Sequence, residues 1–91
     1  MIPQQHLWRL RNEIQIEVLI KKLNVLSKES EGYLRFLCPS CKDFNTAINP
    51  RSNMGRCFGC ERNFNTIELV MEETGDVFLE AVAYLEQMLK S

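Results

Sequence analysis

The fold-determining stretch is residues 38–60, which read CPSCKDFNTAINPRSNMGRCFGC. All the cysteines of the chain lie in it, in two Cys-x-x-Cys pairs: Cys38 with Cys41, and Cys57 with Cys60. Two residues between cysteines let the chain turn so that both sulfurs face one point, and this spacing is typical of a structural zinc site. N–H groups in such a turn can donate to the first thiolate. The stretch therefore predicts a zinc ribbon, in which short antiparallel strands end in two cysteine knuckles.

Four sulfurs about 2.3 Å from Zn²⁺ close a tetrahedron and leave no position for water or substrate. We therefore predict one structural zinc ion and no zinc catalysis. The predicted ligands are Cys38, Cys41, Cys57 and Cys60. The alternatives are a redox-active Cys-x-x-Cys pair and an iron–sulfur centre, although the spacing lacks the clustered ferredoxin pattern.

Composition is that of a folded domain, since 45% of the residues are hydrophobic and 25% are charged. The longest apolar runs, such as residues 18–20, are too short to span a bilayer, and the N-terminus lacks the apolar block of a signal peptide. We therefore expect one cytoplasmic domain over residues 1–91, with reduced thiols or a metal site and no disulfides. Neither a membrane nor a small-molecule substrate is an expected partner.

Helical patterns on both sides of the ribbon predict an α+β fold. The expected segments are helix over residues 1–23, the ribbon with its zinc site over residues 24–62, and helix over residues 63–91. The first segment carries two apolar stripes, which fit either one helix or two short helices that separate near Asn12. In the last segment, Asn65 or Thr66 could cap a helix that stops at Gly75, and Asp76 is the expected N-cap of a final helix.

Short β-prone runs fill the ribbon segment. They lie at residues 25–26, 33–37, 47–48 and 54–57. Residues 27–32 are polar and end in glycine, so we expect a turn that joins the first two runs. In the second knuckle, Gly59 is expected to ease the bend.

Net charge is −1, which does not favour strong electrostatic binding of DNA. The charge is unevenly spread, however. Residues 35–62 carry five basic and two acidic groups (+3), whereas residues 63–91 carry one basic and six acidic groups (−5). Four thiolates with one Zn²⁺ would add −2 to the basic segment. The chain thus combines a mildly basic ribbon with an acidic tail.

Basic residues alternate with phenylalanines along the ribbon, and single-strand binders combine such charges with aromatic faces on which bases stack. The candidate nucleic-acid contacts are Arg35, Lys42, Phe44, Arg51, Arg56, Arg62 and Phe64. The alternative interpretation is that the arginines form a solvated face. For two other phenylalanines, Phe36 and Phe58, we expect packing beneath the knuckles.

Three motifs together resemble a known family. Residues 33–41 read YLRFLCPSC, residues 57–60 read CFGC, and residues 78–82 read FLEAV after an apolar helix. With Ile2-Pro3 at the start, this order resembles the N-terminal zinc-binding domain of bacterial DnaG-type DNA primases over nearly the whole chain. That family has short helices, a hairpin, C-P-x-H, a spacer, C-F-G-C, a helix and an F-x-E-A-V segment.

The sequence departs from the family pattern at four points. Cys41 stands where the family usually has histidine, and residues 42–48 keep little of the E-K-T-P-S-F-like run. Residues 61–65 read ERNFN where the family favours G-x-G-G-D, so this turn must be built differently. Fourth, the sequence given ends at Ser91, just after the module, so we expect this module to act without a primase catalytic domain of its own.

The resemblance implies a module that contacts single-stranded template DNA beside a separate polymerase domain. No nucleophile–base pair, catalytic carboxylate pair or phosphate-binding glycine loop is visible, so we expect a non-enzymatic module. Its expected partners are single-stranded DNA and a separate primase, polymerase or helicase chain. The alternative is a zinc-stapled adaptor that binds a replication or mobile-element protein.

Overall fold

The computed structural model describes residues 2–30 and 33–90, which form two helices, a five-stranded antiparallel sheet and two further helices. The N-terminal helices are α1 (Gln4–Asn12) and α2 (Ile16–Lys22). The strands are β1 (Ser27–Ser30), β2 (Tyr33–Phe36), β3 (Thr46–Asn49), β4 (Met54–Cys57) and β5 (Asn63–Phe64), and the C-terminal helices are α3 (Thr66–Thr74) and α4 (Phe78–Lys90). Strands follow one another in the sheet in chain order. The predicted α+β zinc-ribbon fold is confirmed. In the described ranges, no helix has the length and hydrophobicity needed to cross a membrane.

The N-terminal segment consists of two helices, the second of the two predicted arrangements. Asn53, in the turn between β3 and β4, stabilises the corner between α1 and α2. Its side-chain oxygen accepts a hydrogen bond from the Ile16 N–H (2.9 Å). Its amide nitrogen donates to the carbonyls of Arg11 (2.7 Å) and Ile14 (2.6 Å). The helix break is thus fixed by a residue almost forty positions away.

The ribbon differs from the prediction at its two edges. Strand β1 is formed by residues 27–30, which were expected to be a turn, and the β-prone residues 25–26 precede it. The reason is that β1 pairs only with β2, and an exposed edge strand suits polar side chains. The remaining two residues of the expected turn, 31 and 32, lie outside the described residues.

At the other edge, residues 63–64 form β5, where the sequence predicts helix. They pair with β4 because the chain turns back immediately after the second knuckle. The predicted strands at 47–48 and 54–57 are confirmed as β3 and β4.

The C-terminal helices have one predicted cap and one different start. Asn65 caps α3, accepting a hydrogen bond from the Glu68 N–H (2.8 Å), while the Glu68 carboxylate accepts one from the Asn65 N–H (3.4 Å). Gly75 ends α3 in a left-handed conformation, as expected. Asp76 is not the N-cap of α4, because the Val77 carbonyl accepts the first helical hydrogen bond, from Ala81.

The two faces of the sheet differ in character. Phe36, Thr46 and Cys57 are cross-strand partners on the inner face, and all are fully buried. Partners in register point to the same side of a sheet, so the neighbouring row lies on the outer face. That row consists of Arg35, Ala47, Arg56 and Asn63. The helices cover the inner face and leave the outer face open.

The core joins the inner face to the helices. Its fully buried aromatic side chains are Phe36 and Phe64. The buried helical residues are Leu10, Ile16, Leu19, Ile20, Ile67, Leu69, Val70, Ala81, Val82 and Leu85, and Ile14 joins them from the α1–α2 corner. Phe78, the first residue of α4, remains 40% exposed.

Candidate metal centre and outer sheet face

The first knuckle is a compact turn that follows β2. The Cys38 N–H donates to the Asp43 carbonyl (2.9 Å), which closes the turn. Inside it, the N–H groups of Ser40 (3.4 Å) and Cys41 (3.5 Å) point at the Cys38 sulfur. These donors can stabilise a thiolate, as expected for a Cys-x-x-Cys turn.

The second knuckle repeats this arrangement after β4. The Cys57 N–H donates to the Arg62 carbonyl (2.9 Å), again five residues on, and the Cys60 N–H points at the Cys57 sulfur (3.4 Å). Gly59 does not ease this bend through a left-handed conformation; that backbone conformation belongs to Glu61, with φ of 62°. The expectation for Gly59 is therefore wrong, and a β-carbon there would only meet sulfurs at 3.6 Å.

Glu61 also explains how this turn forms without the glycines that the family favours. In the first knuckle the equivalent residue, Lys42, has φ of 61°. Each knuckle thus ends with a non-glycine residue in the left-handed region, immediately after its second cysteine. This conformation returns the chain to the sheet, so the second knuckle leads directly into β5.

The four knuckle sulfurs converge on one point. Cys38 and Cys60 approach to 3.7 Å and Cys41 and Cys57 to 3.5 Å, and all ligand atoms lie within 4.8 Å of one another. A tetrahedron with metal–sulfur distances of about 2.3 Å has edges of about 3.8 Å. A disulfide needs about 2.05 Å between sulfurs, and all four cysteines are free thiols. The cluster therefore fits a four-coordinate, thiophilic metal ion such as zinc.

Without a metal, these thiols have unequal acidities. The hydrogen bond with Cys57 raises the pKa of Cys41 to about 12. Burial tends to raise the pKa of Cys57, but N–H donors of its own knuckle, first that of Cys60, lower it to about 6. The N–H donors of the second knuckle therefore favour a thiolate at Cys57. A bound divalent cation would hold both as thiolates.

Exposure of the centre is one-sided. Cys38 and Cys57 are buried, Cys60 is half-buried and Cys41 is exposed. The cluster thus lies at the end of the ribbon, with one edge facing solvent. In this arrangement a metal ion would join the knuckle after β2 to the knuckle after β4.

The outer sheet face holds a groove of about 430 Å³. Ala47 separates Arg35 on β2 from Arg56 on β4, and its small side chain leaves room between them. Phe58 is 63% exposed and lies with its ring 5.9 Å from the Arg56 guanidinium. Lining residues include Arg35, Ala47, Asn49, Arg56, Phe58 and Asn63.

The exposure of Phe58 corrects the expectation that it packs beneath a knuckle; Phe36 does pack inside, as expected. Strand alternation was the available signal. Cys57 faces inward to the cluster, so its neighbours Arg56 and Phe58 face outward. Phe58 is not among the predicted nucleic-acid contacts, although it lines the same groove as Arg35 and Arg56.

The predicted nucleic-acid residues separate into two groups. Arg35 and Arg56 line the groove, and Arg51 lies in the β3–β4 turn, whose neighbouring residues 50 and 52 also line it. Phe44 lies on the same side of the ribbon, half-buried, with the Lys28 ammonium 5.1 Å from its ring.

The other group faces α3. Arg62 forms an ion pair with Glu72 (2.9 Å), and its guanidinium lies 4.8 Å from the Phe64 ring. Phe64 itself is fully buried, so it cannot stack on a base, and the expectation that it contacts nucleic acid is wrong. Lys42 lies near Glu73 on α3. The pKa of the Glu73 carboxyl is raised, because burial disfavours its charged form more than the nearby charge of Lys42 favours it.

Comparison with known proteins gives one family match and two similar curated proteins. The family model described as CHC2 zinc finger, the zinc ribbon of DnaG, matches residues 2–91. DNA primases of Listeria monocytogenes serovar 1/2a and of Listeria innocua serovar 6a are each 29% identical over 89 residues. The alignments cover 96% of this chain but 14% of each primase, so the chain spans about one-seventh of their length.

Proposed function

The chain belongs to the CHC2 zinc finger family, the zinc ribbon of DnaG-type DNA primases, and from this membership we propose that it binds single-stranded DNA during primer synthesis. The observation that carries the proposal is the groove on the outer sheet face, where Arg35 and Arg56 flank a small residue beside the exposed ring of Phe58. Cationic side chains and an aromatic face are the two features that bind single strands regardless of sequence.

In this proposal, Cys38, Cys41, Cys57 and Cys60 hold one structural zinc ion. The sulfur separations and the N–H donors within both knuckles support this assignment. When bound, the ion would supply a rigid cross-link between the two knuckles. It would thereby fix the strands that carry Arg35 and Arg56, because each knuckle directly follows one of them.

The charges of Arg35 and Arg56 are not neutralised by a carboxylate of the described residues, so both can bind phosphate. Among the described residues neither forms an ion pair, and the Nε atom of Arg35 is buried without a hydrogen-bond partner. Arg56 makes only a long hydrogen bond to Asn63 (3.4 Å). In this proposal the guanidinium groups of both arginines bind phosphate oxygens of the strand from the walls of the groove.

Nucleotide polymerisation is assigned to a separate catalytic domain or chain. The chain resembles the zinc-ribbon region of DNA primase, and a closed four-sulfur site offers no position for a substrate. The module would act in the cytoplasm with a primase, polymerase or helicase partner.

Titration of the zinc-loaded protein with a fluorescein-labelled single strand, followed by anisotropy, tests the proposal. We expect Arg56→Ala to weaken binding by about tenfold, the order of a lost stacking or phosphate contact. Arg62→Ala is the matched control: it removes the same charge from an arginine already paired with Glu72, and should leave affinity nearly unchanged. Absence of binding at tens of micromolar protein in low salt, with the protein folded, would contradict the proposal.

A second candidate function is that of a protein adaptor, favoured by consecutive exposed apolar residues at the start of α4. Val77 is 63% exposed and Leu79 67%, with Phe78 between them. Calorimetry against the remaining part of a DNA primase, in nuclease-treated samples, tests this candidate. Binding that Leu79→Ser abolishes supports the adaptor, and no heat at high protein concentration rejects it for this partner.

A further inference from the structure

A second groove continues the first one toward α1. It measures about 310 Å³, and its walls include Trp8 and Arg11 from α1. Ser52 and Met54 line both grooves, so the two meet at the β3–β4 turn. Together they form one track that runs from Phe58 at the second knuckle, over Met54, to Trp8 on the first helix.

Asn53 holds the two halves of this track in a fixed relation. It lies between the shared residues Ser52 and Met54, and its side chain forms all three hydrogen bonds to the α1–α2 corner. In one of them the Asn53 amide nitrogen donates to the carbonyl of Arg11, a residue that lines the second groove. Asn53 lines neither groove, but its hydrogen bonds fix the β3–β4 turn to the α1–α2 corner where the two grooves meet.

The electrostatics of the track favour a polyanion. The chain has 12 acidic residues, yet none of the residues lining either groove is Asp or Glu. Arg11 takes part in no ion pair among the residues that the structure describes, and its Nε atom is buried without a partner. Its neighbour Arg9 is different, being paired with Glu13 at 2.7 Å.

Trp8 supplies a second aromatic face at the far end of the track. Its side chain is 55% exposed, although indole is among the side chains that gain most from burial. Phe58 is similarly exposed at the near end. Two open aromatic faces joined by a groove with cationic side chains match the pattern of a single-strand path.

We propose that a single DNA strand follows this whole track, stacking one base on Phe58 and a later base on Trp8, with Arg11 binding a phosphate near Trp8. This inference rests on the proposed function, which it extends by a second contact site. Phe58 immediately follows β4 and lies four residues after Met54, which at the rise of a strand is about 13 Å and corresponds to about four stacked nucleotides. A strand must therefore exceed that length to reach Trp8.

Trp8 is the sole tryptophan of the chain, so its fluorescence reports on the far end alone. The probes are oligothymidylates of three and ten nucleotides, each carrying fluorescein for anisotropy in one series and unlabelled for tryptophan emission in another. At saturation, the ten-nucleotide strand should quench Trp8 and the three-nucleotide strand should not. Trp8→Ala should weaken binding of the longer strand by about tenfold, the scale of one lost base stack, and leave the shorter one unchanged.

Two further variants serve as controls, one for a folding defect and one for the loss of an exposed apolar side chain. Trp8→Phe keeps an aromatic face and should retain most of the affinity, which separates stacking from a folding defect. Val18→Ala removes a similarly exposed apolar side chain outside the track and should have no effect. If anisotropy shows binding of both strands but emission is unchanged and Trp8→Ala binds as tightly as wild type, this inference is overturned and the proposed function stands. If neither strand binds, both fail.

Discussion

Glu61 and Lys42 are the residues at which the backbone of this ribbon stores strain. Both have positive φ, where a β-carbon crowds the following carbonyl and only glycine is free of the penalty. Their shared position after the second cysteine shows that the knuckle geometry, and not the local sequence, selects this conformation. Glutamate is exposed there, so its side chain adds little that compensates.

We therefore expect Glu61→Gly to raise the free energy of unfolding by about 0.5–1 kcal/mol, since relief of strain exceeds the entropy that glycine adds to the unfolded chain. Urea denaturation at fixed zinc concentration measures it. Glu61→Ala removes the same charge but keeps the β-carbon, so it should give no such gain. Equal stability of the two variants would show that φ at this position is not a source of strain.

Gly55 illustrates a different requirement for glycine, which is space. A β-carbon there would lie 2.7 Å from the ring of Phe36, and that ring is fully buried. We expect Gly55→Ala to lower the free energy of unfolding by about 1–3 kcal/mol through overpacking. Gly59→Ala is the control, because its β-carbon meets nothing closer than 3.6 Å. A loss of similar size in both variants, measured by urea denaturation, would contradict the packing argument.

At the scale of elements, the connection between the β3–β4 hairpin and the α1–α2 corner depends on Asn53. It combines positive φ with three hydrogen bonds to backbone groups, a combination that asparagine tolerates best. Asn53→Gly keeps the conformation and removes the bonds, which should cost about 2–3 kcal/mol. Asn53→Ala should cost about 1 kcal/mol more, because the backbone strain is added. Thermal denaturation followed by circular dichroism ranks the variants, and a negligible loss in Asn53→Gly would refute the role of the bonds.

The sequence predicted those elements whose signal is local. The cap at Asn65 and the stop at Gly75 were found because their side chains and backbone act within one helical turn. Strand β1 was missed because its polar residues become a strand only through pairing with β2. Strand β5 was missed for a similar reason: it depends on the left-handed Glu61, which no propensity favours.

The candidate site shows the same division. Cys-x-x-Cys spacing placed all four sulfurs together, since the geometry of each knuckle is local. Which basic residues share a surface depends on cross-strand register and on partners from α3, so Arg62 and Phe64 could not be separated from Arg35 and Arg56 by spacing alone. The side of the sheet taken by Phe58 follows from alternation once Cys57 is placed inward.

Across the whole molecule, charge is divided between the two sides of the ribbon. On the side that faces α3, Arg62 forms an ion pair with Glu72, and Lys42 lies near the carboxyl of Glu73. Arg35 and Arg56, on the outer face, form no ion pair with any residue that the structure describes. A chain with net charge −1 can thus present a cationic groove, and the proposed DNA binding should weaken as salt rises.

We expect the stability of the whole molecule to depend on the proposed metal centre, because the sheet is joined to the helices by a small core and the knuckles close its end. A structural zinc site contributes about 10–16 kcal/mol of apparent binding energy in small domains. We expect one zinc per chain by mass spectrometry, and loss of most ordered structure by circular dichroism under strong chelation. A metal-free Cys41→Ser, Cys60→Ser double variant that remains fully folded would refute the structural role.

Substitution at Cys41 gives the sharper test, since this ligand is exposed and stands where the family usually has histidine. Cys41→His should still bind one zinc with a folded sheet, because imidazole coordinates zinc as readily as thiolate does. Cys41→Ser should lose zinc to a competing chelator at least tenfold more readily, because a hydroxyl is not among the usual ligands of zinc in proteins. If both variants hold zinc as tightly as the wild type, Cys41 is not a ligand and the centre is held by three cysteines.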